Sequence, residues 1–199
     1  MAAQNDIVYR LLEQRKIVRT EELSRVGVHR QTIRRMVEAG DIIKIARGLY
    51  SFPDYQPMEK YSLIEAQKLV AKGVVCLLSA LSYHGIGTQN PSEVWMAIPR
   101  ETRPPKIDNS PVKIVKFSGA GYQNGIETHI IENNEIKIYN IPKTISDCFK
   151  YRNKLGIDVA IEALKDVMLN KRTTVDELLK YSEICRVRQI ITPYMESLV

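Results

Sequence analysis

The feature that most limits how this chain can fold is a change of hydrophobic period at Gly40. Before Gly40, apolar residues recur every three or four positions, which predicts a short helix capped by Thr20 and a longer helix from about His29 to Ala39. Gly27 lies between the two helices, and glycine adopts the backbone conformations that a tight turn needs. Two helices joined in this way are typical of a helix-turn-helix.

The residues after this glycine have the pattern of a β-hairpin. Apolar residues predict one strand over residues 42–45 and a second over residues 49–52, with Arg47 and Gly48 in the turn between them. A further helix is predicted over residues 6–14, where apolar residues again recur at helical spacing. The first part of the chain is therefore expected to form a winged helix-turn-helix, with the hairpin as its wing.

The same part of the chain is strongly basic. The formal net charge of the 199-residue sequence is +6, and residues 7–50 hold ten lysines and arginines against five acids. Eight of those ten cations are arginine, whose planar guanidinium forms forked hydrogen bonds with phosphates and guanine edges. The composition of this segment favours double-stranded DNA as its ligand.

The helix over residues 29–39 is expected to read the bases. Its apolar residues Ile33, Met36 and Val37 face the core, so its opposite side is free to enter a major groove. The residues predicted to bind DNA lie on this helix and on the hairpin: Arg30, Gln31, Thr32, Arg34, Arg35, Lys44 and Arg47. Arginine reads guanine and glutamine can read adenine, whereas Lys44 and Arg47 are expected to contact the DNA as a wing.

The rest of the sequence predicts a second domain of mixed structure. We predict a boundary between residues 57 and 58, because Pro53 and Pro57 interrupt any helix there. Helices are predicted over residues 61–72, 77–84, 143–152, 157–169, 174–184 and 187–198, and strands over residues 94–98, 112–117, 127–131 and 136–141. The predicted fold class is α+β: an N-terminal winged helix-turn-helix, then a mixed α+β domain with a small sheet and C-terminal helices.

Residue types that enzymes use are present in this second domain, but no catalytic signature joins them. Ser79, Ser82 and Cys148 have no nucleophile motif such as Gly-x-Ser-x-Gly around them. The three cysteines form no Cys-x-x-Cys pair, which argues against a disulfide framework or a zinc site and favours buried free thiols. We predict no catalytic residue, no enzyme activity, no cofactor and no metal.

Two of the remaining polar residues have structural interpretations. Thr144 and Asp147 have the spacing of a capping box at a helix start. His84, which directly precedes Gly85, is expected to bond or to neutralise the carbonyl end of its own helix. Neither interpretation requires chemistry at these side chains.

Three stretches, in this order, carry a resemblance to a known family: residues 30–50 (RQTIRRMVEAGDIIKIARGLY), 78–86 (LSALSYHGI) and 144–149 (TISDCF). They resemble AbiEi antitoxins, which belong to the AbiE class of type IV toxin–antitoxin systems. The first stretch resembles the wing domain of that family, and the other two resemble motifs that follow it. The resemblance covers most of the chain.

The resemblance implies a bacterial autorepressor and antitoxin that serves in phage defence by abortive infection. Such a protein binds inverted repeats upstream of its operon through its N-terminal domain. Two protomers are expected on the DNA, because a lone wing domain buries only a modest interface. Its C-terminal domain counteracts a nucleotidyltransferase-like toxin without a stable complex. Two alternatives stay open: a DNA-binding regulator unrelated to a toxin, and an interaction module whose C-terminal domain binds a partner protein.

The sequence also predicts a cytoplasmic location with no membrane partner. No stretch approaches the roughly 20 apolar residues that span a bilayer, and the first residues lack the basic start and apolar run of a secretory signal.

Overall fold

The computed structural model describes residues 2–56, 59–107 and 111–198. The chain divides into two compact units. Unit 1 comprises Met1–Ala71, Pro105–Ser110 and His129–Ile136, and unit 2 comprises Lys72–Pro104, Pro111–Thr128 and Lys137–Val199. The predicted boundary between residues 57 and 58 lies outside the described residues and stays a prediction.

Unit 1 contains the helices and the small sheet of a winged helix-turn-helix. Its first elements are α1 (Ala2–Arg15), β1 (Val18–Arg19), α2 (Thr20–Arg25), α3 (Arg30–Glu38), β2 (Ile43–Ala46), β3 (Leu49–Ser51) and α4 (Glu59–Leu69). The three strands form an antiparallel sheet in the order β1-β3-β2. The predicted helix-turn-helix and hairpin are therefore present, and β1 is a strand that the sequence did not predict.

The start of α2 differs from the prediction. Arg19, rather than Thr20, is the residue that caps this helix, and its backbone N–H donates to Glu22 Oε2 at 2.7 Å. Thr20 is instead the first helical residue, and its hydroxyl donates to the carbonyl of Gly48 at 3.3 Å. The predicted Thr20 cap is wrong because the Glu22 carboxylate satisfies the helix start and the threonine hydroxyl contacts the wing.

The core of unit 1 lies between α1, α2, α3 and the sheet. Its buried residues are Val8, Leu12, Val18, Leu23, Val28, Ile33, Met36 and Ile42. Ile33 and Met36 lie one turn apart, as do Val8 and Leu12, so α3 and α1 each bury one side and expose the other. This packing orients the exposed side of α3.

Unit 2 is built on a mixed five-stranded sheet with helices around it. Its elements are β4 (Val74–Val75), α5 (Leu77–His84), β5 (Val94–Pro99), β6 (Val112–Phe117), α6 (Ala120–Gln123), β7 (Ile126–Ile131), β8 (Asn134–Tyr139), α7 (Ile141–Lys150), α8 (Arg152–Leu155), α9 (Ile157–Leu169), α10 (Val175–Cys185) and α11 (Arg188–Glu196). One end of β7 and one end of β8 belong to unit 1. The strand order is β6-β5-β4-β8-β7; β5 pairs with β6 and β4 with β8 in parallel, and β4 pairs with β5 antiparallel. The α+β fold class is confirmed.

Helix α7 corrects the capping-box prediction. The helix begins at Ile141, and its N-cap is Asn140, whose Oδ1 accepts the backbone N–H of Lys143 at 3.1 Å. Thr144 and Asp147 therefore lie inside the helix and are buried. The prediction failed because Asn140 precedes Pro142, and proline in the first helical turn marks an earlier start.

The His84 ring bonds beyond its own helix. Its Nε2 lies 2.8 Å from the carbonyl oxygen of Tyr139 on β8, while α5 ends at His84 and Gly85 caps it in the left-handed conformation. Cys76, Cys148 and Cys185 are buried free thiols, as predicted. Among the described residues, no helix combines the length and apolar character that a membrane span requires.

Candidate nucleic-acid interface

The exposed side of α3 is the first part of the candidate interface. Because Ile33 and Met36 face the core, the helical repeat leaves Gln31, Arg34 and Arg35 exposed. The Arg34 side chain is 81% exposed, and its Nε donates to Glu38 Oε1 at 2.8 Å. Positions 31, 34 and 35 are three and four apart, so their side chains lie on one face of the helix.

These side chains line a polar cleft, which we call the α3 cleft. Its lining residues are Gln4, His29, Gln31, Thr32, Arg34, Arg35 and Glu38. Guanidinium and amide groups at this surface match the hydrogen-bonding groups on the edges of guanine and adenine in a major groove. The α3 cleft therefore has the chemistry of base recognition.

A second concave surface, the arginine cleft, lies between α2, the start of α3 and the β2–β3 turn. It has a volume of about 790 Å³. Its lining residues are Arg19, Thr20, Glu21, Ser24, Arg25, Arg30, Ile33, Arg47, Gly48 and Tyr50. Four arginines thus meet in one cleft, where a concave shape concentrates their positive potential. Glu21 lies 3.8 Å from Arg19 and offsets part of this charge.

The wing is fixed against α2 by hydrogen bonds to its turn. The carbonyl of Gly48 accepts the backbone N–H of Thr20 at 2.9 Å and its hydroxyl at 3.3 Å. Gly48 has a φ of 72°, a left-handed conformation that favours glycine at this turn. The turn therefore places the exposed Arg47 in the arginine cleft.

The structure brings most of the predicted DNA-binding residues together. Arg30 and Arg47, which are distant in sequence, line the arginine cleft, and the predicted residues from Gln31 to Arg35 line the α3 cleft. Lys44 is exposed on β2 and is not among the described residues that line either cleft. Six of the seven predicted residues are exposed, and their contact with DNA stays a prediction.

Thr32 is the exception. Its side chain is buried, with 9% of the residue exposed, and its hydroxyl donates to Gln4 Oε1 at 2.6 Å. Thr32 precedes Met36 by four residues, so both lie on the same side of α3. This spacing was visible in the sequence and indicates that the Thr32 side chain faces the protein more than the solvent.

The sequence interpretation missed Gln4, His29 and Tyr50. His29 directly precedes α3 and Tyr50 lies on the wing strand β3, so both were near the predicted site in sequence. Gln4 lies on α1, and no pattern in the sequence relates it to α3. Its place in the α3 cleft depends on tertiary packing.

Glu22 supports the arginine cleft from within unit 1. Its carboxylate accepts Arg19 N at 2.7 Å, Arg15 Nη1 at 2.6 Å and Lys68 Nζ at 2.7 Å. Burial by itself would raise the pKa of Glu22, but the hydrogen bonds from Lys68 and Arg19 lower it below 4.5. The charged carboxylate therefore holds α1, α2 and α4 together.

Unit 2 contains a different kind of polar cluster. Lys143 and Asp147 form an ion pair with 0% and 1% of their side chains exposed, and Lys143 Nζ lies 4.1 Å from the centre of the Tyr139 ring. Cys185 Sγ donates to Asp147 Oδ1 at 3.3 Å, and burial raises the pKa of this thiol to about 12. Because solvent does not reach the cluster, it holds α7 and α10 together and does not face a ligand. In the described part of the chain, no group of three or more His, Cys, Asp or Glu residues is arranged to hold a metal ion.

Comparison with known proteins supports the assignment of the N-terminal fold. Residues 6–53 match the family model described as "Transcriptional regulator, AbiEi antitoxin". No curated protein matches the chain. The crystal structure of RV2827C protein from Mycobacterium tuberculosis matches with a TM-score of 0.62 and 14% identity, over 98% of this chain and 80% of that chain. At that identity the likeness shows a shared fold alone. The winged domain of this chain thus matches the AbiEi antitoxin family of transcriptional regulators over residues 6–53.

Proposed function

We propose that this protein is a transcriptional repressor that binds DNA through its winged domain. The observation that carries the proposal is the position of the arginine cleft beside the exposed face of α3. A helix that enters a major groove needs base-reading side chains on its outer face and cations beside it for the flanking phosphates. The winged domain has both.

The two clefts have different tasks in this proposal. Gln31, Arg34 and Arg35 read base edges, because they project from the exposed side of α3. Arg30 and the other arginines of the arginine cleft bind phosphates, and Lys44 extends this contact along the wing. Phosphate contacts set the position of the domain on the duplex, and base contacts set its sequence preference.

The operator is expected to contain inverted repeats upstream of the gene for this protein. One winged domain buries only a modest protein–DNA interface, so two protomers on two half-sites provide the affinity of a specific repressor. Half-sites that lie on the same side of the duplex are separated by about 10 base pairs or a multiple of that spacing. The matched family's description as a transcriptional regulator supports DNA binding by the winged domain.

The antitoxin role is the second part of the proposal. The description of the matched family as an antitoxin supports it, although the match covers residues 6–53 only. We assign the neutralising role to unit 2 and expect the toxin to be a nucleotidyltransferase-like enzyme that forms no stable complex with this chain. In this proposal the protein acts by binding and not by catalysis, in the cytoplasm of a bacterium.

A gel-shift experiment tests DNA binding directly. Purified protein is mixed with the DNA upstream of its own gene at two salt concentrations, with random duplex as competitor. A shift that resists the competitor and weakens steeply with salt is expected, because each neutralised phosphate releases counterions. A shift no stronger than that on random duplex would contradict the repressor function.

A matched pair of variants tests the arginine cleft. Arg25→Ala with Arg30→Ala removes two of its four arginines and is expected to lower affinity for every duplex and reduce the salt dependence. Lys165→Ala with Lys180→Ala removes two exposed cations of unit 2, on α9 and α10, and serves as the charge-matched control. Equal losses in both proteins would show that net charge, rather than the cleft, determines binding.

The antitoxin role is tested by growth. Co-expression of this chain with the neighbouring gene is expected to restore growth if that gene encodes the toxin. The double arginine variant is expected to lose repression and keep protection when both genes are expressed from foreign promoters. Loss of protection in that variant would place neutralisation in the winged domain instead of unit 2.

A further inference from the structure

We propose that Gln4 is a positioning residue that sets the orientation of α3 and thereby the sequence discrimination of the DNA interface. The inference rests on the DNA-binding function proposed above and adds a residue outside α3 and the wing. Its basis is one amide side chain of α1 that bonds to the turn, to the residue before α3 and to the first turn of α3.

The hydrogen bonds of Gln4 span the whole connection between α2 and α3. Its Nε2 donates to the carbonyl of Gly27 at 3.1 Å. Its Oε1 accepts the hydroxyl of Thr32 at 2.6 Å and the backbone N–H of His29 at 3.4 Å. The bond from Thr32 is short and is the strongest of the three by geometry, whereas the His29 bond is at the long limit.

The start of α3 depends on this outside support. His29 is the N-cap residue and has an extended backbone, with no side-chain cap hydrogen bond among the described residues. Gly27 has a φ of 84°, so the turn itself is built on a flexible residue. Because Thr32 is buried, its hydroxyl needs a protein partner, and Gln4 is that partner.

A small rotation of α3 would be enough to disturb base reading. The side chains of a helix end about 6 Å from its axis, so a rotation of about 20° moves them by about 2 Å. Two parallel hydrogen bonds between an arginine and a guanine do not survive such a displacement. Phosphate contacts depend less on exact geometry, so loss of the Gln4 contacts should reduce discrimination more than overall DNA affinity.

The first experiment compares Thr32→Val with Thr32→Ser. The preferred duplex is first selected from a random library with the wild-type protein, and Kd is then measured on it and on a shuffled duplex at two salt concentrations. Valine has a similar shape to threonine but no hydroxyl, and we expect it to lower the ratio of the two affinities about fivefold to tenfold, the effect of one hydrogen bond. Serine keeps the hydroxyl and should stay within about twofold of wild type. The salt dependence should not change in either variant, because no phosphate contact is removed.

A double-mutant cycle separates positioning from direct contact. Gln4→Leu should lower discrimination at least as much as Thr32→Val, and the combined variant should be no worse than Gln4→Leu alone, since both changes remove the same bond. Additive losses would show that Thr32 or Gln4 binds DNA itself and would overturn the inference. Thermal unfolding of each variant verifies that α3 is folded. Thr32→Ser keeps the hydroxyl at the same position and should therefore retain the discrimination that Thr32→Val loses.

The outcome also separates this inference from the function on which it rests. A wild-type protein that selects no preferred duplex would overturn DNA-sequence recognition and the positioning role together. If the wild-type and Thr32→Val proteins discriminate equally well between the preferred and shuffled duplexes, the positioning role alone is overturned.

Discussion

Two ion pairs in this protein have the same spacing in sequence and opposite surroundings in the structure. Arg34 and Glu38 on α3 are four residues apart, with 81% and 60% of their side chains exposed. Lys143 and Asp147 on α7 are also four residues apart, with 0% and 1% exposed. Water screens the first pair, and Glu38 takes only the Nε donor of Arg34, so the Nη donors can bond to a base, whereas the second pair can only hold the fold. The spacing of four residues therefore predicts an ion pair, and the burial of the two side chains determines whether that pair can serve a ligand or only the fold.

The largest expected effect comes from the buried pair. Asp147→Asn leaves the Lys143 cation buried without a counter-charge, which should cost about 3–5 kcal/mol of unfolding free energy. The sequence has a single tryptophan, and Trp95 is buried on β5 of unit 2, so its fluorescence during urea unfolding reports on this unit. Replacing both partners, Lys143→Met with Asp147→Leu, should cost much less. Equal losses in the two proteins would show that packing, and not an unpaired charge, explains the effect.

The two pairs also show how far the sequence predicts this fold. The exposed side of α3 followed from Ile33, Met36 and Val37, because a helix that buries one stripe exposes the opposite one. Asp147, one partner of the buried pair on α7, was assigned to a capping box with Thr144, since these two residues have the spacing of one. Burial of Asp147 depends on α10 and on Cys185, which no local pattern contains.

Other features of the site depended on tertiary packing in the same way. Strands β1 and β4 have two residues each and exist because neighbouring strands pair with them, as Val18 pairs with Tyr50. The arginine cleft combines residues that are separated in sequence. The sequence shows how many arginines there are, but it does not predict that they line one cleft. Gln4 reaches α3 across 28 residues of sequence, which no helical or strand period predicts.

Arg34→Ala is expected to have the next largest effect, on DNA binding. Removal of the guanidinium should cost about 1–3 kcal/mol on the preferred duplex and relax the preference at one base pair. Lys44→Ala is the contrast, because a phosphate contact weakens binding to every duplex and lowers the salt slope by about one. Titrations on the preferred and shuffled duplexes distinguish the two. If Arg34→Ala also weakens both duplexes equally, Arg34 contacts phosphate and the α3 cleft does not read bases through it.

Glu22 gives a prediction about pH within unit 1. Glu22→Gln should cost about 1–2 kcal/mol near neutral pH, because it weakens charged hydrogen bonds from Arg15 and Lys68. The folded pKa of Glu22 is lowered from 4.5, so its contribution is fully present above pH 4.5 and is lost as the pH falls through the folded pKa. Unfolding followed by far-ultraviolet circular dichroism should therefore show the stability difference between wild type and variant shrinking below pH 4.5. A difference that stays constant down to pH 2 would mean that the charge of Glu22 does not hold the helices.

The smallest expected effect tests the exposed pair itself. Glu38→Gln removes its charge, and an exposed pair at this spacing contributes at most about 0.5 kcal/mol, so the unfolding free energy should barely change. DNA binding should change more than folding. Because Glu38 repels phosphates, the variant should bind the shuffled duplex more tightly. Discrimination between the two duplexes should fall, because Arg34 loses the carboxylate that orients its Nε. Kd values on both duplexes, beside urea unfolding, measure the two consequences separately. A loss of stability comparable to that of Asp147→Asn would break the contrast between the pairs, because exposure would then not determine how much an ion pair contributes to the fold.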